Sequence, residues 1–325
     1  MGVFDLAIQN LMSPMVLFFA LGAAAAFARS DLVVPEAVAR FLSLYLLMAI
    51  GFKGGAEVAH SGLTPQVMGA LGMGILLSAM TPLVAYALLR GGTKLSPIDA
   101  ASVAGHYGSI SAVTFAAITG VLNHMSVPYE GYMAAVAAAM ETPAIFTALA
   151  IAQRSGAIKQ AGHGTGLLRE VALNGSIVML LGSFLIGSIT GARGLTMLKP
   201  FLVDPFAGFL CLFLLDMGLL AGRGLLRGWR SLSFPVIMFG VAMPITGALL
   251  AGGLAAILGL SMGGAAIFIT LAASASYIAA PAAMRIALPE ANPAIALTLS
   301  LGVTFPFNLT LGIPIYIAMA SRITG

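Results

Sequence analysis

Residues 104–114 read Ala104-Gly-His-Tyr-Gly-Ser-Ile-Ser-Ala-Val-Thr114, which sets Gly105, Gly108, Ser109, Ser111 and Thr114 in the middle of an otherwise apolar run. Farther along, Ala273-Ser-Ala-Ser-Tyr-Ile-Ala-Ala-Pro281 repeats the theme, with Ser274 and Ser276 ahead of Pro281. Proline removes a backbone donor and frees the carbonyl one turn back, so it favours a break in a helix. Both stretches are expected to interrupt helices, and what surrounds them decides what the interruptions are for.

The surroundings are lipid. The chain is 60% hydrophobic and 8% charged, with a mean hydropathy of +1.04, whereas a soluble domain carries roughly 25% charged residues. So few charges cannot solvate a normal protein surface. The 39 glycines suit close helix contact in a bilayer. A single cysteine, Cys211, excludes an intrachain disulfide or a cysteine metal cluster. The four histidines share no zinc-binding spacing, and no basic run suggests nucleic acid.

Spanning helices need about 20 apolar residues. Ten such runs fall near 11–28, 34–52, 65–89, 99–121, 129–153, 172–191, 205–222, 233–258, 262–288 and 293–320. The two interrupted stretches lie in the fourth and ninth. Residues 154–170 read as a short linker between two halves, 1–153 and 171–325, that resemble each other. Phe41-Leu-Ser-Leu-Tyr-Leu-Leu47 aligns with Phe209-Leu-Cys-Leu-Phe-Leu-Leu215, Tyr107 with Tyr277, and Met140-Glu-Thr-Pro143 with Val303-Thr-Phe-Pro306. Five helices per half make the second half enter from the opposite side, giving an inverted repeat. The expected fold is an all-α membrane protein of two inverted five-helix repeats.

Charge sets the orientation. With the N-terminus outside, Arg29, Arg40, Arg90, Lys94, Arg154, Lys159, Arg169, Arg223, Arg227, Arg230 and Arg285 lie inside, against Lys53, Arg193, Lys199 and Arg322 outside. The positive-inside rule then places both termini in the periplasm of a bacterial inner membrane and the linker in the cytoplasm.

In inverted-repeat carriers the binding site lies near the midplane, where broken helices occupy matching positions. That makes Gly105, Tyr107, Gly108, Ser109, Ser111, Ser274, Ser276 and Tyr277 candidate substrate-binding residues. Close helix packing is the competing account of the same glycines and serines. Glu141, deep in the fifth helix, with Thr304, Asn308 and Thr114, offers hard oxygens for a sodium ion. A protonated Glu141 bonded to another helix is the alternative. Asp216 reads as structural ahead of a proton or ion site, His106 as a packing residue ahead of a partner of the fourth-helix break or a pH reporter, and Lys53 as a snorkelling side chain at the outer face ahead of an attractor of anions at the entrance. No catalytic triad or phosphate-binding loop is present, so neither an enzyme nor an ATP-driven pump is expected, and no cofactor beyond a coupling sodium ion.

At these segments the chain resembles the sodium-dependent bicarbonate transporter family of cyanobacterial carbon-concentrating systems. The resemblance rests on Gly51-Phe-Lys-Gly-Gly55, the Gly/Ser-rich fourth helix, and Ser274-Ala-Ser-Tyr-Ile-Ala-Ala-Pro-Ala-Ala-Met-Arg285 running into Pro289-Glu-Ala-Asn-Pro293. It implies core and gate domains, a homotrimer, elevator-type movement, and bicarbonate held with sodium where the two broken helices cross. A PII-like regulatory protein on the cytoplasmic face is a further implication. Two features differ: Tyr277 stands roughly where the best-known members carry an acid, and the linker is shorter. Sodium-coupled uptake of bicarbonate or a similar small anion is the leading expectation. A carrier of a larger organic anion, or a membrane sensor for a cytoplasmic partner, are the alternatives.

Overall fold

The computed structural model describes residues 8, 10–61, 64–155, 175–228, 232–277, 280–281, 283–284 and 288–325. The described residues form helices joined by short connections, with no strand among them. In chain order the helices are α1 (Pro14–Phe27), α2 (Glu36–Ser61), α3 (Pro65–Gly92), α4 (Pro97–Gly108), α5 (Ala112–His124), α6 (Met133–Ala139), α7 (Pro143–Arg154), α8 (Gly175–Leu202), α9 (Phe206–Gly228), α10 (Phe234–Leu258) and α11 (Met262–Ala272). The last, α12, runs Pro293–Thr324. Most of the expected linker at 154–170 lies outside the described residues.

Among the described residues, seven helical stretches are long and apolar enough to cross a membrane. The fourth and ninth expected spans are not among them, because each is divided. At 1.5 Å per residue, α4 and α5 reach about 18 and 20 Å, so neither alone crosses a core of about 30 Å. The surface is apolar where a bilayer would touch it, with Leu76, Leu83, Leu249 and Ile257 exposed on α3 and α10.

Two bundles divide the chain. In one, α1 packs along α9 and α2 along α8, with α9 also touching α2. These helices meet backbone to backbone. A Cβ on Gly51 or Gly55 would lie 2.4 or 1.9 Å from the Leu180 or Phe184 carbonyl oxygen, and one on Gly22 or Gly218 would strike Leu215 or Phe19 as closely. The other bundle gathers α3, α4 and α7, and α10, α11 and α12. Its helices carry internal prolines at matching places, Pro82 in α3 and Pro244 in α10.

One helix departs from expectation. Residues 175–202 read as a span followed by an outer loop, yet the structure continues the helix past Gly191 and folds it back. Before Gly191, Leu180 and Phe184 climb α2 beside Gly51 and Gly55. After it, the Phe201 carbonyl returns to accept a 2.6 Å hydrogen bond from the Tyr45 hydroxyl. Gly191 makes the reversal with φ 57° and ψ −148°, a conformation a side chain resists. Length and hydropathy alone would count this element as one crossing. The returning segment ends at Leu202, which with Val203 lines the cavity described below.

Carboxylates pin the start of each divided span to the other half of the chain. Glu130, on the connection between α5 and α6, accepts from the Ser261 amide (2.9 Å) and hydroxyl (2.8 Å) at the N-terminus of α11. Asp99, in the first turn of α4, accepts from the Asn292 amide (2.8 Å) just before α12. A negative group suits a helix N-terminus in both places.

Candidate functional site

The two breaks meet. Beyond Gly108 the chain is extended at Ser109 and Ser111 before α5 begins, and beyond Ala273 it is non-helical through Ser276. The Ser276 amide donates to the carbonyls of both His106 (2.8 Å) and Ser109 (3.1 Å). The Ser111 amide donates to the Ser274 hydroxyl at 2.9 Å. His106 Nδ1 lies 2.7 Å from the Ser276 carbonyl, and because a carbonyl only accepts, Nδ1 carries the proton. Irregular backbone at membrane depth is tolerated where protein surrounds it. All of these groups are buried.

The serines split by role. Ser111 is the N-cap of α5, accepting from the Thr114 amide at 3.1 Å. Ser276 accepts from the Ala280 amide at 3.1 Å, where helix resumes after the second break. The Ser274 hydroxyl donates to the Leu271 carbonyl (2.7 Å) while bracing Ser111. These three hydroxyls hold the crossing together. Ser109 and Tyr277 are different: both hydroxyls are buried and find no hydrogen-bond partner among the described residues. The Tyr277 hydroxyl lies beside Ser111 without meeting hydrogen-bond geometry. Its ring packs edge-on against Phe305 at 5.5 Å.

Gly105 and Gly108 face away from the break. A Cβ on Gly108 would sit 2.5 Å from the Pro82 ring and 2.6 Å from the Ala144 methyl, so α3 and α7 close on it from two rigid sides. The obstacle at Gly105 is chiefly the flexible tip of Met284 (2.2 Å), with Ala148 at 2.9 Å. Gly108→Ala is therefore expected to cost about 1–3 kcal/mol by overpacking, and Gly105→Ala distinctly less. Melting temperatures of the two purified variants check the order; equal losses would contradict it.

The four residues expected to hold sodium do not converge on shared duty. Thr304 Oγ1 donates to the Gly240 carbonyl (2.7 Å), the group that Pro244, four residues on, leaves without its helical donor. With that hydrogen committed, Thr304 Oγ1 accepts from the Tyr107 hydroxyl at 2.5 Å. The Asn308 amide donates to the Ala273 carbonyl (2.8 Å) and its oxygen accepts from Tyr316 (2.7 Å). Both residues lie beside the crossing, on α12 where helical turns widen at 300–304 and 308–312. Thr114 occupies the first turn of α5 and Glu141 the gap between α6 and α7. The Glu141 side chain is 5% exposed and has no hydrogen bond to another described residue. Ala148 lies against Gly105 and Ala144 against Gly108; continued by a turn, this register brings Glu141 level with Ser111.

A family model for the Na+-dependent bicarbonate transporter superfamily matches residues 14–321. The chain belongs to that superfamily. The match starts at the first residue of α1, ends in the last turn of α12 and includes both breaks. Membership and the apolar helices together make it a multi-pass membrane protein of a transporter family. No individually curated protein matches the chain.

His106 was underweighted by sequence reasoning. Its side chain and its backbone both bind Ser276, so it ties one half of this superfamily member to the other. A histidine three residues before the serine of a break is the signal that pointed there. Asp216, read as structural, is buried in α9 within electrostatic reach of Arg223.

Proposed function

We propose that the protein is a sodium-coupled carrier that takes up bicarbonate or a similarly small anion and holds it where the two breaks cross. The observation that carries this reading is the pair of buried, unpartnered hydroxyls, Ser109 and Tyr277, one on each break. Buried polar groups are nearly always hydrogen-bonded, so a hydroxyl on each break with no partner among the described residues favours a ligand that completes them. Neutral donors with no lysine or arginine among the described residues of the crossing suit a small, weakly charged oxyanion. Sodium joins at the Glu141 carboxylate, buried in the gap between α6 and α7, which needs a cation if it is to be charged in that setting.

The inverted repeat is supported by paired contacts. When the five spans of the first half are matched in order with those of the second, α1–α9 becomes α8–α2, and the contact of α3 with α4 becomes that of α10 with α11. Glu130 on Ser261 and Asp99 on Asn292 exchange in the same way. On this reading the bundle holding the crossing moves as one body against α1, α2, α8 and α9, an elevator-type cycle in which the Glu130 and Asp99 contacts keep the moving body whole.

Uptake of labelled bicarbonate into vesicles, with and without an inward sodium gradient, tests the assignment. Sodium-dependent accumulation is expected. Uptake indifferent to sodium would remove the coupling, and no uptake would remove the substrate.

A further inference from the structure

Above the crossing lies a cavity of about 410 Å3, lined among others by Lys53, Glu57, Phe115, Thr119, Asn123 and His124. Its lining comes from α2 and the end of the returning segment at Leu202, and from α5 and the connection into α6. We propose that Lys53, with Asn123 and His124, forms an outer entry site that collects a small monovalent oxyanion before it reaches the crossing. The proposal rests on the transport reading above and adds a second binding station to it.

Lys53 does not snorkel away from the protein. Its ammonium donates to Asn123 Oδ1 at 3.3 Å and stands 5.2 Å from the centre of the Tyr129 ring. Both of these partners are neutral and fix the charge in place, while the Glu57 carboxylate, four residues on along α2, acts on the ammonium electrostatically. The crossing has hydroxyls and a histidine but no lysine or arginine among its described residues. Coulombic attraction of an anion must therefore act farther out, and a cavity with apolar walls focuses it.

The two stations share one helix. Ser111, Phe115, Thr119 and Asn123 follow one another at intervals of four along α5, and so lie on one face. Asn123 and Thr119 line the cavity, Phe115 forms its floor and is buried, and Ser111 is at the crossing. An anion at Lys53 is thus separated from the crossing by the Phe115 turn. Glu57 also lines the cavity, seated against Gly131, where its carboxylate oxygen would lie 2.8 Å from a Cβ. A carboxylate in the same space disfavours dense negative charge, which selects a monoanion over a dianion.

The test is initial-rate uptake of labelled bicarbonate by vesicles holding the full chain as wild type, Lys53→Gln or Lys53→Arg, at low and high external salt. Lys53→Gln is expected to raise the KM by about tenfold and leave the maximal rate within about twofold, and Lys53→Arg to restore the KM. Wild-type KM should rise with external salt, because exposed charges are screened, and the Lys53→Gln KM should not. A wild-type KM in Lys53→Gln would overturn the entry site, as would a loss of maximal rate that Lys53→Arg does not repair. A wild type that takes up no bicarbonate would instead overturn the transport reading on which the site rests.

Discussion

Tyr277→Phe is expected to lower bicarbonate uptake by at least about tenfold while leaving the protein as stable as before or more so. The argument turns on a hydroxyl that is buried beside the crossing yet unpartnered. Leaving such a group unsatisfied costs about 1–3 kcal/mol, so its removal relieves a penalty rather than breaking a bond. Bound to an anion, the same hydroxyl makes a charge-assisted hydrogen bond of about 1.5–3 kcal/mol, and 1.4 kcal/mol is a factor of ten. Ser109→Ala should behave alike, and the double variant should lose more transport without losing stability. The serines engaged at the crossing give the opposite pattern. Ser111→Ala removes the α5 cap, which costs about 1 kcal/mol, and Ser276→Ala removes the hydroxyl that holds the Ala280 amide. Paired measurements of melting temperature and uptake separate the two classes. A Tyr277→Phe variant that melts early, or that transports normally, would defeat the assignment of its hydroxyl to the substrate.

That division among hydroxyls is what the sequence could not supply. Gly105–Ser111 and Ser274–Pro281 were legible as breaks, because glycine, serine and proline gather there in apolar runs at matching places of the two halves, although close packing used the same residues and Gly108 serves it. Whether a serine caps a helix, braces a neighbour or faces a ligand depends on where its oxygen points, and Ser109, Ser111, Ser274 and Ser276 look the same in one dimension. Thr304 shows the same limit. It aligned with the Glu141 region and so suggested a sodium ligand, but its hydrogen goes to the carbonyl that Pro244 leaves without a donor, a consequence of two distant residues meeting. The reversal at Gly191 was hidden for another reason. Arg193 and Lys199 gave the segment the look of an outer loop, and a single positive φ leaves no periodic trace. Lys53 was visible throughout; what the fold added is the cavity around it, lined from α2, α5 and Leu202 with Val203.

Glu141→Gln is expected to abolish the sodium dependence of uptake and of thermal stability together. The side chain lies in the gap between α6 and α7, where the Met140 carbonyl is held by the Ser78 hydroxyl at 2.6 Å and the Glu141 amide reaches the Ala138 carbonyl at 3.3 Å. The backbone is thus fixed while the carboxyl has no hydrogen bond to another described residue. A lone carboxylate at membrane depth is costly by several kcal/mol, and a bound cation removes that cost. Wild-type protein should therefore melt at higher temperature as sodium replaces choline, gaining about 2.7 kcal/mol at a sodium concentration 100 times its Kd. In Glu141→Gln the neutral amide needs no cation, so the sodium-free protein should be at least as stable as wild type without sodium, and added sodium should change nothing. Glu141→Asp keeps the charge but draws it back by one methylene, so it should retain coupling at a weaker sodium affinity. A Glu141→Gln carrier that still accumulates bicarbonate down a sodium gradient would place the coupling ion elsewhere. In that case the buried carboxyl would serve only packing, and Glu141→Gln would leave sodium-dependent melting intact.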